Sequence, residues 1–503
     1  MSFAAIIEYY RQNSLKCIML VAFTFRLLAA IFSTGYGMHD DHFITVEVAQ
    51  SWIDGTNRDF WLPVEGLNIT PSGHSLTYPG ILYGTFSICE KIGIDDPATK
   101  MFIIRLLQAL FSLIVVYYGY KIIRELYGEK AAISAGWLLA TFWFIPMMSV
   151  RNLVEVFCVP FLMMGVWLIV NNKEDRLLKF LWAGFVIGLA FSIRFQTSTF
   201  IGGLGLALLF KKKFHHTVIF GIGVLISVFL LQGGVDMVIW KRPFAEFMEY
   251  SNYNLQHAND YWTAPWYNYI LLVSGLLIPP VSLFLIFGVF RNWKKHLIIF
   301  LPVLAFFVFH SIFPNKQERF IFPVLPFIIM MGIAAWTEFY EQSSFWKRNQ
   351  KLYKGSWMFF VVLNSVLLLG LTLSSSKKNR VDAMSYLSKY RDIHCFVVEN
   401  MNHDGNVSMP FFYLKKQWPI QYDLYQNVPA EQMKNYLDST GKCKPQFVLF
   451  LEEKNIDERI TNFKKLYPQI TYETTIDPSF LDKVMHWLNP VNINQTTVIY
   501  KIN

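Results

Sequence analysis

Long apolar segments alternate with short polar loops along most of the chain. A helix of about 17–25 apolar residues is long enough to cross a bilayer. The segments of that kind are Cys17–Thr34, Met101–Ile123, Ala131–Val150, Leu153–Val170, Phe180–Phe210, Val218–Val235, Tyr267–Phe290, Leu297–Phe313, Phe320–Trp336 and Trp357–Leu373. Phe180–Phe210 is too long for one span and contains Arg194, so we interpret it as two helices that meet at Arg194–Thr197. The pattern therefore predicts eleven transmembrane helices.

One shorter segment, Leu76–Cys89, is ambiguous. It contains Tyr78-Pro79-Gly80 and is followed by Glu90-Lys91, so we predict a half-buried or interfacial helix within a large first outer loop. Counting it as a span would invert the orientation of every later helix. With eleven spans and a cytoplasmic N-terminus, every inner loop carries Lys or Arg, as the positive-inside rule requires. The predicted topology therefore places the N-terminus inside and the C-terminus outside.

The polarity changes in the last segment, residues 374–503. Strand-like runs occur at Gln446–Leu451 and Thr496–Tyr500, and helix-like stretches at Val381–Tyr390 and Ala430–Leu437. Such a mixture is typical of a small α/β domain. We therefore predict a transmembrane domain over residues 1–373 and an extracytoplasmic α/β domain over residues 374–503.

Composition supports an α-helical polytopic membrane protein. Of 503 residues, 53% are hydrophobic and only 16% are charged, against about 25% charged residues in soluble domains. A net charge of +9 would point to nucleic acid in a soluble chain. Here the basic residues lie in loops between apolar segments, so we expect the lipid bilayer as a partner, and not nucleic acid.

The five cysteines show no metal-type spacing. Cys17, Cys89 and Cys158 lie in or beside apolar segments, where cysteine usually acts as a small packing residue. Cys395 and Cys443 lie in the polar C-terminal segment and can pair if that segment faces an oxidising compartment. The sequence leaves the pairing open.

Charged residues recur at the predicted outer face. Gly37–Phe43 reads Gly-Met-His-Asp-Asp-His-Phe and follows the first apolar segment. The candidate residues in this and four other outer connections are Asp40, Asp41 and His42; Arg151 and Glu155; Arg194; Asp236 and Asn252; and Lys316, Glu318 and Arg319. Charges of both signs at one membrane face favour a functional site over unrelated solvated loops.

These residue types suit transfer from a lipid phosphate. A carboxylate can accept a proton from an attacking hydroxyl, and several Arg and Lys can neutralise a phosphate leaving group. We therefore expect no metal and no cofactor. Simpler interpretations stay open for single elements: Arg151 and Glu155 as a helix ion pair, and Arg194 as a residue that extends to the interface.

Two motifs resemble those of a known family. Asp40-Asp41-His42-Phe43 resembles the "HPDEHF" motif of the GT-C mannosyltransferases that extend the N-glycan precursor and the GPI-anchor core (glycosyltransferase family 22). Pro314–Phe320, with Pro323 and Pro326 beyond it, is similar to the family's "PHKEERF..P..P" signature. Asp41 stands where the family has Glu, His39 where it has Pro, and Asn315 where it has His. We expect a divergent, bacterial member.

Further similar segments occur along the chain in the same order as in the family. Arg151–Glu155 resembles the family's "R…N..E" segment, and Pro265–Tyr269 its "PWHWY" segment. Asp236 with Trp240 and Asn252–Asn254 resembles the family's "D..(F/Y)Y….N" loop. The similarities therefore extend over about Gly37–Pro326.

The resemblance implies a fold and a reaction. The fold is a GT-C-like bundle of about 11 transmembrane helices with a large first outer loop and a C-terminal extracytoplasmic α/β domain. The reaction is inverting transfer of a hexose from a polyprenyl-phosphate-linked donor to a hydroxyl of a glycan or lipid-linked glycan acceptor. Mannose is the hexose that we expect. The alternatives are another GT-C enzyme that adds a different sugar to lipid A, protein or a cell-surface glycan, and a lipid-linked sugar flippase. We expect location in the bacterial cytoplasmic membrane, or in the endoplasmic reticulum membrane if the chain is eukaryotic.

The resemblance also assigns roles. Asp40 is the expected general base, and Asp41 a second carboxylate that orients the acceptor or shares that role. The expected binders of the donor phosphate are Lys316, Arg319, Arg151 and Arg194. The expected substrate-binding or orienting residues are His42, Glu155, Asp236, Asn252 and Glu318.

Overall fold

The computed structural model describes residues 8, 12–426, 443–490, 492 and 494–503. The chain forms two compact units. The helical unit consists of Met1–Ala30, Asp59–Ile81 and Ile104–Thr372, and the α/β unit of Ile31–Arg58, Leu82–Ile103 and Leu373–Asn503. The α/β unit therefore takes in two segments from the region of the first predicted loop, besides the C-terminal residues.

Helices form at each of the apolar segments and in several of the stretches between them. Their bounds are α1 (Ser14–Phe32), α2 (Val48–Ile53), α3 (Thr77–Lys91), α4 (Pro97–Tyr127), α5 (Glu129–Thr141), α6 (Ile145–Met148), α7 (Val154–Phe157), α8 (Val159–Val170), α9 (Leu177–Ile193), α10 (Ser198–Phe210), α11 (Phe214–Val228), α12 (Gly234–Trp240), α13 (Ala245–Gln256), α14 (Asn268–Leu276), α15 (Val281–Arg291), α16 (Leu297–Ile312), α17 (Leu325–Gln342), α18 (Ser344–Arg348), α19 (Gln350–Thr372) and α20 (Lys378–Leu387).

The lengths of these helices confirm a multi-pass membrane protein. Among the described residues, five continuous helical stretches are long and apolar enough to cross a bilayer: Ser14–Phe32, Pro97–Tyr127, Phe214–Trp240, Glu318–Gln342 and Gln350–Thr372. A further pair, α14 and α15, is bent by 119°. The remaining apolar helices, Val154–Val170, Leu177–Ile193, Phe195–Phe210 and Leu297–Ile312, are shorter. The count of eleven spans therefore stays a prediction.

The predicted break at Arg194–Thr197 is confirmed. α9 ends at Ile193, Arg194 has an extended backbone (φ −139°, ψ 103°), and Phe195–Thr197 form a short 3-10 turn before α10. α9 also packs closely against α11. A side chain at Gly184 would overlap the backbone of Phe220, and one at Gly223 would overlap Leu181. Glycine at both positions thus allows the two backbones to touch, as small residues do in membrane bundles.

The ambiguous segment Leu76–Cys89 forms α3, Thr77–Lys91. It is 15 residues long. It does not belong to the described helices that are long and apolar enough to cross a membrane. Its last residues belong to the α/β unit from Leu82 onward. This agrees with the prediction that the segment is not a transmembrane helix.

The α/β unit is built on a five-stranded sheet in the order β2-β1-β3-β5-β4. The strands and their helices are β1 (Cys395–Asn400), β2 (Ile420–Tyr425), β3 (Phe447–Leu451), α21 (Ile456–Lys464), β4 (Ile470–Ile476), α22 (Phe480–Leu488) and β5 (Thr497–Ile502). β1 is parallel to β2 and β3, whereas β5 is antiparallel to β3 and β4. The core between sheet and helices includes Val397, Phe450 and Phe463.

The strands predicted at Gln446–Leu451 and Thr496–Tyr500 are confirmed as β3 and β5, and the helix predicted at Val381–Tyr390 as α20. The helix predicted at Ala430–Leu437 lies outside the described residues. β1, β2 and β4 were not predicted from the sequence. Two of these, β2 and β4, are only partly buried, so their apolar pattern is weak.

Cys395 and Cys443 form a disulfide, with an Sγ–Sγ distance of 2.02 Å. It joins the first residue of β1 to the segment that leads into β3. Cys17, Cys89 and Cys158 are free thiols. The structure thus settles the pairing that the sequence left open.

Candidate active site

The predicted site residues occur in both units. Asp40, Asp41 and His42 belong to the α/β unit, and the remaining candidates belong to the helical unit.

Asp41 organises the loop that carries the two carboxylates. Its side chain is 1% exposed, and its oxygens accept hydrogen bonds from the backbone N–H of Gly37 at 2.7 Å and of Met38 at 3.2 Å. Hydrogen bonds to a charged group are stronger than neutral ones, so Asp41 fixes the shape of the loop. Asp40 is only partly buried, and its carboxylate is therefore the more accessible of the two.

His42 is packed into the interior of the α/β unit. Its ring stacks on Tyr36 and on Tyr413, with centroid distances of 4.9 and 5.7 Å. Its Nε2 atom lies 3.4 Å from Oε1 of Glu47. These contacts indicate that His42 positions the loop.

Glu47 is a buried carboxylate that the sequence analysis missed. Phe43–Glu47 form one π-helical turn, which brings Glu47 to the side of His42. Glu47 accepts hydrogen bonds from the Arg58 guanidinium and, at 3.3 Å, from the backbone N–H of Phe412. A single carboxylate within the apolar stretch Phe43–Ala49 was the available signal, since buried carboxylates need such partners.

In the helical unit, Glu155 holds two arginines. Glu155 lies in α7 and is 0% exposed. Its Oε1 atom lies 3.1 Å from Nη2 of Arg194 and 3.5 Å from Nε of Arg319. Arg194 reaches this position from the break between α9 and α10 and lies over the ring of Phe320, 5.1 Å from its centroid. The interrupted helix thus has a physical role, because it directs a guanidinium towards a buried carboxylate.

The turn Asn315–Arg319 is fixed by several contacts. Lys316 is 1% exposed, donates from Nζ to the carbonyl of Phe313, and lies over the ring of Tyr269. Burial lowers the pKa of the Lys316 ammonium. Arg319 donates from Nε to Oε1 of Gln317 at 2.8 Å. Glu318 is exposed, so the carboxylate beside Arg319 is that of Glu155.

Four of the candidate residues in the helical unit are cations. Arg151, in the turn before α7, is buried. Lys316 and Arg319 are buried as well, and Arg194 is partly buried. Arg194 and Arg319 lie within ion-pair distance of the buried carboxylate of Glu155. A cluster of this kind attracts and holds anionic groups. We call these five residues the cationic cluster.

Asp236 shapes a neighbouring turn. It is buried, and its Oδ2 atom accepts hydrogen bonds from Nε2 of Gln232 at 2.9 Å and from the backbone N–H of Glu246 at 3.1 Å. It therefore fixes the start of α13. Asn252 lies further along the same helix and is exposed.

Glu246 is a second buried carboxylate that the sequence analysis missed. It accepts hydrogen bonds from the backbone N–H of Gly73 at 2.7 Å, from the hydroxyl of Ser72 at 3.0 Å and from Nε1 of Trp240 at 2.9 Å. It thus joins the segment before α3 to the turn between α12 and α13.

Glu246 makes the stability of this turn depend on pH. Burial raises the pKa of its carboxyl from 4.5 to about 7, against the opposite effect of its hydrogen bonds. The folded protein therefore binds this proton more tightly than the unfolded chain does. The stabilising contribution is complete below pH 4.5 and is lost as the pH rises towards 7.

Glu246→Gln should remove this pH dependence. Between about pH 4.5 and about pH 7.5, the free energy of unfolding of the unsubstituted protein should fall by about 3 kcal/mol relative to that of Glu246→Gln, at 1.36 kcal/mol per pKa unit. Thermal unfolding of both proteins over this pH range measures the difference. Glu249→Gln, at a partly exposed position of α13, controls for the loss of a carboxylate. Parallel pH profiles for Glu246→Gln and the unsubstituted protein would contradict the prediction.

The described residues contain no group of three or more His, Cys, Asp or Glu side chains placed to hold a metal ion. Within the helical unit, the structure brings the guanidinium groups of Arg194 and Arg319 to the carboxylate of Glu155.

Comparison with known proteins gives the following similarities. Residues 17–408 match the model of the Alg9-like mannosyltransferase family. Mannosyltransferase APTG1 of Arabidopsis thaliana is 24% identical over 461 residues, which cover 86% of this chain and 79% of that protein. GPI mannosyltransferase 3 of Yarrowia lipolytica is 23% identical over 389 residues, covering 76% of this chain and 72% of that protein.

The fold is also similar to solved structures. The crystal structure of ArnT from Cupriavidus metallidurans bound to undecaprenyl phosphate aligns with a TM-score of 0.59 and 11% sequence identity, and the alignment covers 98% of both chains. A crystal structure of the oligosaccharyltransferase of Archaeoglobus fulgidus aligns with a TM-score of 0.51 and 12% identity, covering 92% of this chain and 72% of that one. At these identities the likeness shows the fold alone.

Proposed function

The chain belongs to the Alg9-like mannosyltransferase family and is thus a membrane glycosyltransferase of the GT-C type. We propose that it transfers a mannosyl residue from a polyprenyl-phosphate-linked donor to a hydroxyl of a glycan or lipid-linked glycan. The family match over residues 17–408 is the observation that carries the proposal. The buried charges explain how such a donor would be used.

The cationic cluster suits a lipid-phosphate leaving group. When the bond between the sugar and the phosphate breaks, negative charge develops on the phosphate oxygen, and fixed cationic donors stabilise that charge. Arg194 and Arg319 are held in place by Glu155, and a guanidinium can bind phosphate with two parallel hydrogen bonds. The similar fold of ArnT was crystallised with undecaprenyl phosphate, which is a carrier of the class proposed here.

Asp40 is the proposed general base. The acceptor hydroxyl attacks the anomeric carbon from the face opposite the phosphate, its proton passes to the Asp40 carboxylate, and polyprenyl phosphate leaves with the bonding electrons. One base and a direct displacement give inversion. Asp41 is already engaged by the backbone of Gly37 and Met38, so it supports the base by holding the loop.

The reaction is proposed to take place on the extracytoplasmic side, without a metal. The disulfide between Cys395 and Cys443 supports an oxidising compartment for the α/β unit, and the basic inner loops support the same orientation. The cationic side chains take over the charge neutralisation that a metal ion would otherwise supply.

A transfer assay tests this function. The purified full-length protein in lipid nanodiscs would be given radiolabelled polyprenyl-phosphate mannose and two acceptors, a mannosylated glucosaminyl phosphatidylinositol and a lipid-linked N-glycan precursor. We expect labelled mannose on one of these acceptors, with undiminished transfer in the presence of EDTA. Transfer from GDP-mannose alone, or from no lipid-phosphate sugar, would contradict the donor assignment. Loss of transfer in EDTA would contradict the metal-independent mechanism.

A further inference from the structure

A polar cleft of about 480 Å³ lies beside edge strand β2 of the α/β unit. Its size falls within the range of small-molecule sites, about 300–1,000 Å³. Its walls include Arg58, Phe411, Trp418, Gln421 and Asp423. None of them is used by the reaction described above.

One wall of the cleft is aromatic and rigid. The rings of Phe411 and Trp418 lie 6.5 Å apart at 61°. The Arg58 guanidinium covers part of this wall, 4.3 Å from the centroid of Phe411 and 5.7 Å from that of Trp418. Nε1 of Trp418 donates to Oδ2 of Asp54 at 2.9 Å, which fixes the orientation of the indole. A fixed aromatic surface of this kind can pack against the C–H face of a pyranose ring.

The cleft is also lined by fixed polar groups. Gln421 and Asp423 are two residues apart on β2 and therefore face the same side of the strand. Nε2 of Gln421 donates to Oδ1 of Asp423 at 2.7 Å and to the carbonyl of Val407 at 2.8 Å. Burial raises the pKa of the Asp423 carboxyl, against the opposite effect of its hydrogen bonds. The amide thus fixes the carboxylate, and a carboxylate keeps further acceptor positions for the hydroxyls of a sugar.

The charges of the cleft favour a neutral ligand. Arg58 forms an ion pair with the buried Glu47, so its charge is already balanced. Asp423 adds a further carboxylate. With the Arg58 charge balanced by Glu47, Asp423 is the charged wall residue that remains, so the cleft disfavours a phosphate group, in contrast to the cationic cluster of the helical unit.

We propose that this cleft binds sugar residues of the acceptor glycan. This inference rests on the proposed function, which requires a glycan acceptor. Arg58 connects the cleft to the loop of the proposed base, because it donates to Glu47, and Glu47 contacts His42, two residues after Asp40. The cleft therefore selects the acceptor, and the carboxylate loop acts on it.

Direct binding tests the proposal independently of transfer. Methyl α-mannobioside and inorganic phosphate would be titrated by calorimetry into the full-length protein in nanodiscs. We expect saturable binding of the disaccharide and none of phosphate. Trp418→Leu and Asp423→Asn should each weaken disaccharide binding by about tenfold or more, equivalent to about 1.4 kcal/mol. Tyr472→Leu is the matched control, since Tyr472 is 58% exposed on β4, at the other edge of the sheet.

The kinetic arm separates acceptor recognition from chemistry. In the transfer assay, the same two variants should raise KM for the glycan acceptor by about tenfold, with kcat and with KM for the lipid-linked donor unchanged. Asp423→Asn keeps the size of the side chain, and thermal unfolding checks that each variant folds.

Several results would overturn the proposal: no saturable binding of the disaccharide, binding of phosphate in its place, or unchanged affinity in both cleft variants. An equal loss in Tyr472→Leu would also do so. Absence of transfer together with disaccharide binding that depends on Trp418 and Asp423 would reject the proposed function while supporting the cleft.

Discussion

Asp40→Asn is expected to lower kcat for mannosyl transfer by about 10²–10⁴-fold, the usual contribution of a general base. The asparagine amide has nearly the same shape but cannot accept the proton of the acceptor hydroxyl. Because Asp40 is partly exposed, its replacement should leave the thermal unfolding of the protein nearly unchanged. The rate is measured with saturating donor and acceptor, so that the change reports on the chemical step.

Two further aspartate variants make this result interpretable. Asp41→Asn should lower the free energy of unfolding by about 1.5–3 kcal/mol, the net value of a hydrogen bond to a charged group, because Asp41 holds the loop through Gly37 and Met38. Asp457→Asn, at an exposed position of α21, should change neither rate nor stability. Full activity in Asp40→Asn would remove Asp40 from the mechanism, and a rate loss confined to Asp41→Asn would reverse the two roles.

Arg319→Met is expected to lower transfer by about 10²–10³-fold, as removal of one transition-state donor does in other enzymes. Arg319 is one of the two guanidiniums that contact Glu155, and the substitution takes away a charge that would otherwise stabilise the departing phosphate. Initial rates at varied donor concentration measure both kcat and KM for the donor.

The stability effect of this change must be separated from its effect on catalysis. Truncating one partner of a buried ion pair can cost about 3–5 kcal/mol, so thermal unfolding is measured for each variant. Arg319→Lys keeps the positive charge near Glu155 but loses the planar fork, so it should fold well and still transfer slowly. Arg176→Met, at an exposed site paired with Glu174, is the control. Normal transfer by both Arg319 variants would show that another group neutralises the phosphate.

The structure changes how several predicted residues are interpreted. Glu318 was expected to orient a neighbouring cation, but it is exposed, and Glu155 and Gln317 contact Arg319. His42 was expected to face the substrate or orient it, and its stacking between Tyr36 and Tyr413 favours the orienting role. The roles of all these residues in the reaction stay predictions until variants are assayed.

Properties that depend on local composition and residue order were predictable before the structure was known. The length and polarity of the apolar segments indicated a multi-pass helical protein. The charge within Phe180–Phe210 located the break after α9, and the motifs in Gly37–Phe43 and Pro314–Phe320 indicated the family, which the match over residues 17–408 confirms. Each of these features is set by neighbouring residues, since hydrophobic burial and helix formation follow local patterns.

The pairing of buried charged groups, by contrast, depends on how distant segments pack. Glu155 meets Arg194 and Arg319, which are far away in the chain, and Glu47 meets Arg58 and the backbone of Phe412. Buried carboxylates must be paired with hydrogen-bond donors or cations. The local sequence pattern does not identify which donor or cation packs against them. For the same reason, the different environments of Asp40 and Asp41 could not be predicted from the sequence. In the structure, backbone N–H groups of the loop donate to Asp41, whereas Asp40 stays partly exposed.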